Sequence, residues 1–167
     1  MKKIAVFIVI TIWFGQHFLL FGIGDNATPS LSSPHQSLYT HLYFLQHDSY
    51  DPQKAALPFV RDGINMEDAE QAAIMLKQVF DARGFYIDFG QVPDNPEHID
   101  SLIGRARYFP VAQLQDIYLE KIGTSWLYSI ESIQQIERLH KEVFPFGTDV
   151  LLDLLPRAGT RMILGLY

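Results

Sequence analysis

Strand period, turn chemistry, helix start and helix stop all agree within residues 116–149 (DIYLEKIGTSWLYSIESIQQIERLHKEVFPFGTD), and no other stretch constrains the fold as much. Ile117, Leu119 and Lys121 alternate with Tyr118, Glu120 and Ile122, the two-residue period of a half-buried strand. Gly123-Thr124 then separates two β-rich runs, and a glycine leading a two-residue loop suits a type II′ hairpin turn. Residues 125–128 are the return strand. Ser129 is the N-cap of a helix whose apolar positions Ile133, Ile136, Leu139 and Val143 fall at helical spacing, and Pro145 and Gly147 stop it. The reading is an antiparallel hairpin handing over to an amphipathic helix. Trp126 and Tyr118 are expected to pack the hairpin on that helix, and Gly123 to hold φ above zero. Tyr118, Gly123, Trp126, Pro145 and Gly147 are thus structural residues. No catalytic signature occurs among them.

The preceding chain reads as short helices. Ser33-Pro34 is a cap followed by proline at the first helical position, and Leu38, Leu42 and Leu45 form one stripe as far as Gln46. Asp51-Pro52 repeats the signal for a short second helix, with Pro58 inside it. Residues 65–83 are the clearest helix: Asn65 caps, Glu67 and Asp68 sit at the positive end of the dipole, Ala69, Ala72, Ala73, Leu76 and Phe80 face a core, and Gly84 closes. Residues 85–89 (FYIDF) alternate as a strand would, residues 92–99 are a proline-containing loop, and residues 101–109 carry little pattern. Residues 148–155 (TDVLLDLL) read as a short apolar helix ended by Pro156, and residues 162–167 as an apolar tail. The fold class expected is α+β, mainly helical, with several short amphipathic helices and one small antiparallel β-hairpin.

Residues 1–24 have the form of a secretory leader: a basic start at Lys2 and Lys3, then an apolar run broken by Gln16-His17. Cleavage after Gly24 would leave small residues at the −3 and −1 positions; an uncleaved run would be long enough for a membrane anchor, with the polar pair disfavouring a stable span. Both endings remain open, and either one makes the body extracytoplasmic. Residues 25–32 read as a polar linker and residues 33–167 as the domain. Without Lys2 and Lys3, the 13 basic residues fall to 11 against 19 acidic, a net charge of −8. That sign argues against nucleic acid and against anionic lipid. The chain has no cysteine, which excludes a disulfide framework, thiolate metal sites and a lipoprotein anchor.

Chemistry-bearing patterns are missing from the sequence. His35, His41 and His47 are six residues apart and do not share a helix face, and no His-Glu-x-x-His or Gly-x-Ser-x-Gly motif and no Gly-rich phosphate loop occurs. No residue is assigned to catalysis, to a cofactor or to a metal, and the chain is read as non-enzymatic. The many aromatic residues are mostly core, with an aromatic-lined pocket or partner surface as the minority reading.

One resemblance adds to this. Ser33-Pro34, residues 39–46 (YTHLYFLQ), Tyr50-Asp51-Pro52, residues 117–123 (IYLEKIG), Trp126, Tyr128-Ser129, Leu139-His140-Lys141 and residues 144–149 (FPFGTD) occur in this order. With Leu151-Leu152 and Leu154-Leu155-Pro156 they resemble the extracytoplasmic domain that precedes the membrane region in small-conductance mechanosensitive (MscS) channel family proteins of Bacteroidetes-type bacteria. The resemblance covers most of residues 33–167 and none of the family's pore or cytoplasmic regions, so no conducting residue carries over. It implies a non-catalytic sensing or partner-docking domain, with membrane channel subunits or periplasmic proteins as partners and self-association possible in principle. The competing expectation is a secreted small-molecule or glycan-binding module that uses surface aromatics. A closed aromatic pocket with convergent polar groups would fit that second reading.

Overall fold

The computed structural model describes residues 27–145. Four helices, α1 (Pro34–Tyr43), α2 (Pro52–Ala56), α3 (Met66–Ala82) and α4 (Ile130–Val143), surround a three-stranded antiparallel sheet, β1 (Arg107–Tyr108), β2 (Leu119–Ile122) and β3 (Ser125–Tyr128). The fold is mainly helical α+β, as the sequence pattern predicts.

Each helix starts on a side chain that accepts from its first turn. Ser33 accepts from the Gln36 N–H, Asp51 from Lys54, Asn65 from Asp68 and Ser129 from Ser132, at 2.8–3.1 Å. These bonds satisfy amide donors that the helix itself leaves unpaired. The second helix is as short as Pro58 requires, passing at once into a single 3₁₀ turn over Leu57–Phe59. At the end of α3, Gly84 takes φ +68°, its N–H donates to the Asp81 carbonyl, and the Phe85 N–H reaches back to Phe80. That pair of bonds is a Schellman closure.

The same closure corrects the expected strand at residues 85–89. Phe85 is used up in the helix cap, and the Asp88 carboxylate accepts from Gly90 to start a 3₁₀ turn over Phe89–Gln91. The alternation is real in burial, with Ile87 inside and Tyr86 outside, but no neighbouring strand pairs with it. The weakly patterned stretch at 101–109 supplies β1 instead, pairing Arg107 with Glu120 and Tyr108 with Leu119.

In the hairpin, Leu119 faces Tyr128 and Lys121 faces Trp126, with Gly123 at φ +59° in the turn. Trp126 and Tyr128 point inward and are fully buried. The expectation that Trp126 packs on the following helix is corrected. Its ring N–H donates to the Pro96 carbonyl (3.0 Å), and its backbone carbonyl accepts from the Ser37 hydroxyl on α1 (2.7 Å). Tyr128 stacks on Phe59 at 4.2 Å. The hairpin thus covers α1 and the Leu57–Phe59 turn, while α4 packs on α3.

The free edge of β3 is covered at both ends of its outward-facing run. The Trp126 N–H donates to the Leu31 carbonyl (2.7 Å), and the Tyr128 carbonyl accepts from Arg61 (2.9 Å). An edge closed this way offers little to an incoming strand. It also corrects the linker reading from residue 27 onward, because Ser30 exchanges two hydrogen bonds with Thr40 and Ala27 packs on the core. The leader, Gly147, the helix expected at 148–155 and the tail at 162–167 lie outside the described residues.

Candidate functional site

His41 is fully buried between α1, α3 and β3. Its Nε2 lies 2.8 Å from the Ala73 carbonyl and its Nδ1 3.0 Å from the Tyr128 hydroxyl. A carbonyl only accepts, so Nε2 carries the proton and Nδ1 accepts from the tyrosine. Burial pulls the His41 pKa down to about 4, with the nearby Lys77 charge acting in the same direction against the Ala73 hydrogen bond. Burial likewise pushes the Tyr128 hydroxyl far up. This is a neutral, closed hydrogen-bonded pair, sealed by the edge of Phe59 at 4.8 Å. It has the chemistry of a core clamp, with no reacting atom open to a substrate.

The other fully buried polar side chains are engaged in the same way, whereas the Nδ1 of the partly buried His35 has no hydrogen-bond partner among the described residues. Ser33 caps α1 and donates to Asp94; Ser37 and Thr40 donate to backbone carbonyls. Ser132 accepts from the Tyr118 N–H at 2.8 Å. Tyr118, expected against α4, is there: its hydroxyl donates to Glu131, and the Arg107 guanidinium lies 4.3 Å over its ring. Pro145 follows the end of α4 at Val143 and Phe144. The histidines expected to diverge do so. His47 is exposed, and His35 stands edge-on to Phe89 at 5.5 Å. Among the described residues no group of His, Asp and Glu side chains could hold a metal ion, and no helix is long and apolar enough to cross a membrane.

The surface carries what the interior does not. Residues 99–105 form a tight loop: Asp100 and Arg105 bridge through their backbones (2.9 Å), Gly104 turns at φ +64°, and the Asp100 carboxylate accepts from Leu102 (2.8 Å) and Ile103 (3.2 Å). These bonds hold out an apolar tip, with Leu102 93% exposed, Ile99 60% and Ile103 45%. Beside it is a cleft of ≈ 440 Å³ lined by Leu102, Ile103, Phe109 and Ala112. A second open cleft, ≈ 740 Å³, is bounded by Tyr43, Phe44, Tyr50, Asp48 and Asp51. Sequence reasoning missed the 99–105 tip, whose only signal was a lone Leu-Ile pair before Gly104 in a stretch without period.

No protein-family model, curated protein or solved structure matches this chain.

Proposed function

We propose that this chain is a non-catalytic, extracytoplasmic partner-docking domain, of the kind appended to mechanosensitive-type channels. The observation that carries the reading is the preorganised apolar tip at Ile99, Leu102 and Ile103. A rigid loop that holds large aliphatic side chains in water gains free energy only when something covers them. The occupant that fits is a protein surface with an apolar socket and a carboxylate at its rim, because the exposed Arg105 stands beside the tip. A membrane channel subunit or another periplasmic protein is the class implied by the family resemblance. The commitment of His41, Tyr128 and the buried Ser37, Thr40 and Ser132 hydroxyls to the fold supports a non-enzymatic role.

A photo-cross-linking residue placed at Leu102 tests this in the native cell envelope. One discrete adduct is expected, identified by mass as a membrane channel subunit, and none from the same probe at the exposed Thr124. Equal labelling from both positions, or adducts only with unrelated soluble proteins, overturns the reading. The second reading, a small-molecule or glycan-binding module, draws on the ≈ 740 Å³ cleft, where Tyr43, Phe44 and Tyr50 meet two carboxylates. Saturable sugar binding that is lost in Tyr50→Ala would favour it over docking.

A further inference from the structure

A chain of contacts gathers both ends of the described residues at one end of the molecule. Residues 27–30 run back along α1, held by the two Ser30–Thr40 bonds (3.1 and 2.9 Å), so that Ala27 and Thr28 share a cleft with Tyr43 and Phe44 where α1 stops. Leu42 and Gln46, at that same end, share another cleft with Phe80, Phe85 and Tyr86 where α3 stops. The last turn of α3 in turn holds the last turn of α4. His140 bonds Gln78 at 2.7 Å, and Arg83 pairs with Glu142 at 2.8 Å. Residue 27 and residue 145 therefore leave from one face, made by the C-terminal ends of α1, α3 and α4. The hairpin turn lies at the other end. Ser37 meets Trp126 and His41 meets Tyr128, so β3 runs beside α1 in the same direction, and Gly123-Thr124 fall beyond the start of α1.

The exit face has a distinct character. Tyr50 (60% exposed) and Tyr86 (91%) are on it, and among the described Phe, Tyr and Trp residues they are the two most open to water. Each adjoins one of the two clefts just described. The segments that join the domain at this face are rich in apolar residues: residues 4–24 on one side, and Val150, Leu151, Leu152, Leu154 and Leu155 on the other. Most of its charges are paired, Lys54 with Asp51, Lys77 with Asp81 and Arg83 with Glu142, and the exposed Asp48 beside Tyr50, with only the His47 imidazole next to it, leaves the face weakly negative.

We propose that this face lies on a lipid bilayer, with Tyr50 and Tyr86 at headgroup depth and the hairpin turn pointing away from the membrane. Tyrosine suits that depth because its ring is apolar and its hydroxyl stays wet. A weakly negative face selects a zwitterionic headgroup layer over an anionic one, which would repel it. The apolar flanking segments supply most of the attraction, and the two tyrosines set the orientation. The inference rests on the membrane-linked reading above and adds which end of the domain meets the membrane.

The absence of cysteine allows a direct test with the full 167-residue chain. Single variants Tyr50→Cys, Tyr86→Cys and Thr124→Cys each carry one fluorescent label, and each is mixed with phosphatidylcholine vesicles containing a headgroup-nitroxide lipid. All three positions are exposed, so the fold tolerates the change. Labels at 50 and 86 are expected to lose most of their emission, while the label at 124 keeps its own. If the chain floats with the vesicles but the 124 label is quenched, or those at 50 and 86 are not, the orientation is overturned and membrane association stands. If the chain does not float with the vesicles, the proposal and the membrane-linked reading beneath it fall together.

Discussion

At Gly123 the backbone takes φ +59°, and a Cβ built there would meet no atom within 4 Å. A substitution at this position is therefore opposed by conformation alone, since nothing crowds the site. For a residue with a Cβ the left-handed region costs about 1–2 kcal/mol, with β-branched side chains at the upper end. Gly123→Val is expected to lower the stability by that amount, and Gly123→Asn by less, because asparagine visits this region more readily. Urea denaturation of the two variants checks the order; equal stability of Gly123→Val and the parent would remove the turn assignment. Trp126, three residues on, is opposite in kind. Its role comes from partners at positions 31, 37 and 96, all far away in sequence.

Between elements, the joint of β2 with α4 depends on Ser132. Its hydroxyl oxygen accepts from the Tyr118 N–H (2.8 Å), and its single proton faces the Asp116 and Tyr118 carbonyls and the Ser129 hydroxyl. Removing that oxygen leaves a buried amide donor without a partner, which costs about 1–3 kcal/mol. Ser132→Ala is expected to lose stability in that range with the denaturant slope unchanged, since the surface exposed on unfolding is the same. A variant as stable as the parent would show that water reaches the Tyr118 amide. The N-cap of α4 survives the change, because Ser129 accepts from the backbone N–H of residue 132.

Across the whole molecule, His41 ties α1, α3 and β3 together, and its titration sets how the fold answers acid. The buried imidazole has its pKa lowered to about 4, against 6.5 for the ordinary side chain. As pH falls through 6.5 the unfolded chain takes up a proton that the folded chain refuses. Stability is therefore full above that value and declines until pH reaches about 4. A gap of about 2.5 pH units at about 1.4 kcal/mol each makes the loss about 3–4 kcal/mol. His140, whose pKa burial also lowers, acts in the same direction. His41→Gln is expected to be less stable near neutral pH, with a flatter decline between about pH 6.5 and about pH 4. Urea midpoints across that window give the comparison, and an undiminished slope in the variant would assign the acid sensitivity elsewhere.

Local chemistry in the sequence determined the caps at Ser33, Asp51, Asn65 and Ser129, the closure at Gly84, the turn at Gly123 and the α3 stripe. Each depends on atoms within about five residues of one another, so the pattern is complete in a short window. What only the tertiary structure decided is pairing over distance. The alternation at 85–89 has the period of a strand but no partner, whereas the unpatterned 107–108 gains one in β2. Residues 27–32, polar and without period, become the cover of the β3 edge because Leu31 meets Trp126. The apolar tip at 102 and the shared exit of residues 27 and 145 are legible only in three dimensions. Side-chain period reports which face of an element is buried, and it carries no information about which distant surface buries it.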